Sequence, residues 1–343
     1  MTASKIPVAV LGATGTVGQK LVRRLEHHPW FEIQYLAASA ASAGRRYADV
    51  VRWRETTPLP SRIGDLIVQP SDRPTGLPLA FSALDTEAAA TIEPLWAGAG
   101  SVVVTNASPF RLAPDVPLLI PEVNAEHLEL LAEQRKRRGW RGAIVANPNC
   151  TTTGLALVLA PLHRAFGVDR LFVSTMQAIS GAGWPGVASL DIVGNVIPYI
   201  PGEEEKVEQE TRKILGSATI VSAHTNRVPV VDGHTETVSI GFSERVSPDA
   251  VAATLAGWRA SDLVRALPSS PDAPVVVDPR PDRPQPRLDL DQGGGMSVTV
   301  GRIRPCPLLD VRLVLLSHNT VRGAAGATIQ NAELLVSVGV VAR

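Results

Sequence analysis

The sequence predicts an α/β chain in two parts: an open, mostly parallel sheet with helices on both faces, then an α+β half built on one large mixed sheet. Three observations predict it. Short apolar runs alternate with helical or turn segments as far as residue 146. A glycine-rich turn joins the first of these runs to a helix. Beyond residue 167 the strand-like runs lengthen and become rich in β-branched residues.

Residues 5–12, KIPVAVLG, read as a buried strand. The strand breaks at GATGTVG, with Gly12, Gly15 and Gly18, and passes into QKLVRRLEHH, where Val17, Leu21, Val22 and Leu25 recur at helical spacing. Strand, glycine turn and helix together suit a dinucleotide. Glycine lets the backbone approach a pyrophosphate, and the helix start offers free N–H groups and a positive dipole. The pattern is GxxGxxG, with Thr14 at the usual middle glycine, so a plain tight turn is the competing reading. The next strand, 32–38, leads into ASAASAGRRY without the carboxylate that usually takes the ribose 2′-hydroxyl of NAD. Ser39, Ser42 and Arg45 would donate to a 2′-phosphate, which favours NADP; plain surface charge is the alternative for Arg45 and Arg46.

Further strands are expected at 66–69, 79–84, 101–105 and 143–146. A helix is expected from an Asn124 cap through AEHLELLAEQRKRR, its basic end a solvated terminus. His27, His28, His127 and His163 fall on predicted helices among polar residues and read as surface groups. These elements outline a Rossmann-type domain over 1–149, joined by a C-terminal helix at 320–343, and a catalytic and oligomerisation domain over 150–319.

In the second half, strands are expected in VDRLFVSTMQAIS, SATIVSAHTNRVPV, TETVSIGF, MSVTVGRI and DVRLVLLSH. Two segments read as loops: GAGWPGVASLDIVGNVIPYIPGEEE, and the proline-rich SSPDAPVVVDPRPDRPQPRLDLDQGGG, a surface excursion.

Composition narrows the function. Lys plus Arg and Asp plus Glu both number 33, so the balance gives no support for nucleic-acid or membrane-surface binding. No stretch approaches the ~18 apolar residues of a membrane span, and the N-terminal run is too soon broken by glycines for a signal peptide. Two cysteines, 150 and 306, make no disulfide framework or metal spacing. A cytoplasmic chain that needs no metal is expected.

Cys150, in ANPNCTTTGLALVLAPL, begins a helix whose first turn is rich in threonine caps. A thiol there feels the positive end of the dipole, which is expected to lower its pKa, and the first-turn amides could hold an oxyanion. Buried, inert cysteine is the competing reading. His234, in RVPVVDGHTET, can reach a cleft as a general base, and Arg227, seven residues earlier, offers a planar fork for a carboxylate. Cys306 has no partner motif and reads as structural.

The pieces GATGTVGQ, NASPFR, NPNCTT, STMQAISGAG, RVPVVDGHTE and HNTVRGAAGA span almost the whole chain. In that order they resemble the aspartate-β-semialdehyde dehydrogenase family, in the branch found in archaea, fungi and some bacteria. The resemblance implies Cys150 as nucleophile forming a thioester, His234 as acid/base and Gln177 as the group that orients the reacting atoms. It further implies Arg227 for a substrate α-carboxylate, Arg111 for phosphate, and Glu203 with Lys206 for amine and phosphate. Glu204 and Glu205 are alternatives to Glu203. Gly12, Thr14, Gly15, Thr16, Val17, Ser39, Ser42, Gly181 and Asn319 resemble NADP contacts, although Ala41 stands where related sequences often carry arginine.

The implied reaction is NADPH-dependent reduction of L-4-aspartyl phosphate to aspartate semialdehyde, in the biosynthesis of lysine, threonine and methionine, by a homodimer or homotetramer. A malonyl-CoA reductase of the same branch and a non-catalytic NADP sensor are the rival readings.

Overall fold

Parallel strands covered on both faces need continuous apolar runs, and the first half supplies them. They are β1 (Ile6–Leu11), β2 (Phe31–Ala38), β3 (Gln69–Pro70), β4 (Leu79–Ser82), β5 (Val102–Thr105) and β6 (Ala143–Ala146). In the computed structural model, which describes residues 4–342, they form one parallel sheet in the order β3-β2-β1-β4-β5-β6. The outermost positions of the expected domains, 1–3 and 343, lie outside the described residues. Strand order reverses between β1 and β4, and ligands of such sheets bind at the carboxyl ends beside that point. The turns after β1, β4, β5 and β6 all open there. They carry Gly12–Gly15, Leu84–Asp85, Asn106–Arg111 and Asn147–Cys150.

The second sheet comprises β7 (Val168–Gln177), β8 (Ile220–Arg227), β9 (His234–Phe242), β10 (Val275–Asp278), β11 (Val298–Pro305) and β12 (Val311–Ser317). Its order is β10-β11-β12-β9-β7-β8, parallel in the two outer pairs and antiparallel inside. The mixed sheet expected from the sequence is therefore present. Between the sheets runs the Cys150–Phe166 helix, buried continuously from Thr151 to Leu162. Its leucines share a core with Leu11 and Ile144 of the first sheet and with Val173, Val238 and Leu313 of the second. A helix buried all round is apolar all round, as LALVLAPL is.

The C-terminal segment returns to the first sheet. A π-helical turn, Val321–Ala325, leads into a helix at Gly326–Ser337, shorter than the expected 320–343. Its Ile329, Ala332 and Leu335 pack in the core that holds Val8, Val10 and Phe81.

Several expectations change. Of 66–69, only Gln69 joins a strand, because Leu66 and Val68 bond back to Tyr47, Gly44 and Arg45. The proline-rich excursion contains a true strand, β10, where Val275–Val277 pair with β11. Asn124 caps nothing: its side chain accepts from Ile120 N and donates to Leu118 O, and the chain makes a 3₁₀ segment before the Leu130–Arg138 helix. That helix end is not wholly solvated either. Arg138 pairs with buried Asp115 and lies over the Trp140 ring, its guanidinium carbon 4.9 Å from the centroid. His28 is buried, its Nε2 2.7 Å from Glu333 on the C-terminal helix. His163 Nδ1 accepts from Val168 N. Arg46 pairs with Asp65 at the surface, and Arg45 donates to Asp49 O.

Candidate active site

Topology brings the second-half candidates together. In the parallel β7–β8 pair, Gln177 stands opposite Arg227 at the strand ends, and antiparallel β9 begins beside them with Thr235 opposite Met176. His234 therefore starts its strand where Gln177 and Arg227 finish theirs. Cys150 meets this edge from the helix between the sheets, its Sγ 3.3 Å from His234 Nε2.

The cysteine's position is set by its neighbours. Asn149, not a threonine, caps the helix: its Oδ1 accepts from Thr151 N (2.9 Å) and Thr152 N (3.3 Å). Thr153 Oγ1 instead donates to Asn149 O. Two first-turn amides are thus engaged by the cap, and Asn149 N by Glu210 (2.6 Å), which narrows the oxyanion role expected of that turn. Asn147 holds the turn from behind through Asn106, Thr328 and Asn331. Gly323 presses on the nucleophile so closely that an added Cβ would fall 2.6 Å from Cys150 Cβ.

The titration of this pair differs from the expectation. Burial first, then the Glu203 charge, push the Cys150 thiol up to about 12, against Arg111, Arg227 and the Thr151 amide. Burial, and after it Arg227, hold His234 down at about 3. The free pair is a neutral thiol beside a neutral imidazole. Helix-end stabilisation of a thiolate is outweighed by desolvation, since Cys150 is half-buried on the cleft wall among protein atoms. Ala178 N donates to His234 Nδ1 (3.1 Å), leaving Nε2 toward the sulfur.

Charged groups ring the cysteine. Arg227 is buried and donates to Ala178 O (2.7 Å). Gly181 lies against it, and an added Cβ would come within 2.7 Å of the Arg227 Nη1. Glu203 accepts from Asn149 Nδ2 (2.7 Å) and faces Lys206 at 3.6 Å. Among the three neighbouring glutamates only Glu203 lines the cleft; Glu204 accepts from Thr225 N and Glu205 is exposed. Arg111 is buried against Glu210 (3.0 Å) and donates to Asn106 O (2.6 Å). Gln177 is buried, and its amide donates to Thr175 Oγ1.

Cys150, Arg227, Glu203, Lys206 and Arg111 line a cleft of about 690 Å³, which also takes in Thr16, Val17, Gly181 and Asn319; Gln177 and His234 are buried and are not among its lining residues. Asn319 joins its two sides, accepting from Gly233 N and donating to Ser180 Oγ. A second cleft of about 720 Å³ holds Gly12, Thr14, Gly15 and Ser39, and both contain Leu84 and Asp85. They form one channel from Ser39 over the glycine turn to Cys150. The glycines divide their work there. An added Cβ at Gly12 would lie 2.5 Å from Ala83 O, and at Gly18 2.2 Å from Gly12 O, so both serve close packing. Gly15 stands at the start of the Thr16–Leu25 helix, where no side chain caps the first turn and the nearest atom to an added Cβ is 3.4 Å away. Those amides and that open approach fit a pyrophosphate. Ser42 is not among the lining residues of either cleft.

Sequence reasoning missed Asn149, Glu210 and Arg73. Arg73, after β3, lines the second cleft with Ser39. Glu210 lies two turns beyond Glu203 on the Glu203–Leu215 helix, a spacing that marks it as a face-mate of Glu203. Among the described residues no three His, Cys, Asp or Glu are placed to hold a metal, and no helix is long and apolar enough to cross a membrane.

A dinucleotide-type sheet feeding a cleft with a cysteine–histidine pair and flanking arginines defines the class of oxidoreductases that act on carbonyl groups through an enzyme-bound cysteine. Residues 7–131 match the family model "Semialdehyde dehydrogenase, NAD binding domain", and 159–322 match "Semialdehyde dehydrogenase, dimerisation domain". The chain belongs to the aspartate-semialdehyde dehydrogenase family. The enzyme of that name from Archaeoglobus fulgidus is 50% identical, covering 96% of this chain and 97% of its own. The Saccharomyces cerevisiae enzyme is 43% identical, covering 98% and 99%. The crystal structure of the Candida albicans enzyme with NADP superposes with a TM-score of 0.89 at 42% identity, covering 97% and 99%.

Proposed function

We propose that this chain reduces L-4-aspartyl phosphate to L-aspartate 4-semialdehyde with NADPH, in amino-acid biosynthesis, through a thioester on Cys150. One observation carries the reading: Cys150, 3.3 Å from His234, shares a cleft with Arg227, Glu203, Lys206 and Arg111, and that cleft runs on to the glycine turn. The NADP named with the Candida albicans relative and the open helix start at Gly15 support NADP(H) as cofactor.

Each group has a task. The Cys150 sulfur bonds to the acyl carbon, and the carbon–oxygen bond to phosphate breaks. The thiol proton passes to His234 Nε2 once the ring has shifted its own proton to Nδ1 and given up the Ala178 N–H contact, and it returns to the sulfur when the tetrahedral adduct collapses to the aldehyde. Arg111 and Lys206 hold the phosphate, Arg227 the α-carboxylate and Glu203 the α-amine; Gln177 orients the reacting group. The reduced cofactor, when bound, supplies the hydride that converts the acyl group to the aldehyde level. Binding must shift the resting pair, because a neutral thiol near 12 is a poor nucleophile. Covering the cleft with cationic and oriented groups is how the site would favour the thiolate.

We also read the chain as a Rossmann-type domain, 1–149 with the returning 320–343, and a catalytic and oligomerisation domain, 150–319. The two sheets and the two family matches support this division. The "dimerisation domain" match supports a homo-oligomer; we read it as a dimer or tetramer that works in the cytoplasm on small molecules. The curated relatives favour aspartate semialdehyde over malonyl-CoA as substrate, and the assembled cysteine–histidine pair speaks against a non-catalytic sensor.

The test runs two assays side by side. Phosphate-dependent NADP+ reduction with aspartate semialdehyde is expected to be robust, and malonyl-CoA-dependent NADPH oxidation to be absent. The reverse pattern would overturn the substrate assignment, and silence in both would overturn the activity.

A further inference from the structure

We propose that Glu210 is a positioning residue for the phosphate subsite, a carboxylate that locks the Arg111 guanidinium to the peptide carrying the nucleophile. Three separate segments meet on it. Its Oε1 accepts from Arg111 Nη1 at 3.0 Å, and its Oε2 accepts from Asn149 N at 2.6 Å. Arg111 belongs to the turn after β5, Asn149 directly precedes Cys150, and Glu210 comes from the Glu203–Leu215 helix of the second half. Glu210 is only 1% exposed. The inference rests on reading Arg111 as the phosphate group of the site.

The arrangement suits positioning rather than mere packing. Arg111 has five N–H donors. One goes to Glu210, one to Asn106 O, and buried Nε has no partner among the described residues, so donors remain for an anion entering the cleft. Lys213, one turn beyond Glu210, donates to the carbonyls of Arg111, Ala113 and Val116 at 2.7, 2.7 and 2.9 Å. The helix therefore grips the arginine loop through Glu210 and Lys213 and the cysteine turn through Glu210 and Glu203. An acyl phosphate has a fixed span from acyl carbon to phosphorus, and a rigid bridge between arginine and nucleophile matches that span. Breaking the bridge frees the guanidinium to swing while leaving both arginine and cysteine present.

The test uses the full chain with inorganic phosphate as the varied substrate, in NADP+ reduction by aspartate semialdehyde. Glu210→Gln keeps the volume but turns an amide toward Arg111; its KM for phosphate is expected to rise about tenfold or more. Its KM for aspartate semialdehyde and its NADP+ affinity stay within about twofold of the parent. Glu210→Asp keeps the charge but shortens the reach, and raises the phosphate KM by an intermediate factor. Arg111→Ala separates the two claims. If it leaves the phosphate KM unchanged, the reading of Arg111 fails. If it raises that KM while both Glu210 variants leave it untouched, or while Glu210→Gln adds its full effect on top of Arg111→Ala, the positioning role is overturned. A Glu210→Gln protein that cannot fold leaves the decision to Glu210→Asp, on the same criterion.

Discussion

The cysteine's resting state can be probed by alkylation across pH. Burial and the Glu203 charge lift the Cys150 thiol from an ordinary 9.0 to about 12. Three units correspond to about 4 kcal/mol at ~1.36 kcal/mol per unit, on the order of a thousandfold loss of thiolate at neutral pH. The assay is pseudo-first-order iodoacetamide labelling of the substrate-free protein, followed by mass at the Cys150 peptide. A Cys306→Ala background removes the second thiol. The rate constant should climb about tenfold per pH unit from 7 past 9 without levelling, since only thiolate reacts. Glu203→Gln should raise the rate at every pH, because it removes the charge that opposes ionisation. A plateau below pH 8 would refute the reasoning. It would mean that the helix start and the flanking arginines outweigh burial, and that the site holds a preformed thiolate.

Two further predictions concern packing and buried charge. Gly323→Ala would put a methyl group 2.6 Å from Cys150 Cβ and 2.8 Å from its Cα, so kcat should fall by about a hundredfold or more, since small misplacements at a reacting centre are that costly; unchanged turnover would contradict the contact. Glu93, buried and hydrogen-bonded to Ser82 and Thr105, is raised from 4.5 to about 7, with burial the main cause. The folded state thus holds the neutral acid, a contribution fully present below about pH 4.5 and lost as pH rises through about 7. Glu93→Gln, neutral throughout, should gain about 3 kcal/mol relative to the parent between those limits, read from urea unfolding at pH 4.5 and pH 8. A difference independent of pH would contradict the shift.

How much of this was legible in the sequence depends on the range of the interaction. Strand, glycine turn and helix announced the first sheet because each signal is local, and Gly12 and Gly18 sit where side chains cannot. Gln177 was legible only through the family resemblance, Arg227 through its planar fork and His234 through its turn beside a strand end; sheet register then brings the three together. Asn149 was adjacent to the cysteine yet overlooked, since three threonines compete for the same capping signal; φ and ψ, not composition, decide which residue caps. Glu210 and Lys213 were hidden for another reason. On their own helix they look like solvent-facing charge, and only docking against the arginine loop reveals them. His28 likewise finds Glu333 across 305 positions of sequence. The thiol's titration went the wrong way because a dipole can be read from a helix start, whereas desolvation requires the packed surroundings.

The thioester at Cys150 is tested most directly by trapping it. Protein mixed with aspartate semialdehyde and NADP+ in the absence of phosphate is quenched in acid and analysed by intact mass and peptide mapping. An aspartyl adduct is expected on the peptide containing Cys150, discharged when phosphate is added before the quench and absent from Cys150→Ser, which should still bind NADP+. An adduct located elsewhere, or full turnover by Cys150→Ser, would contradict the account.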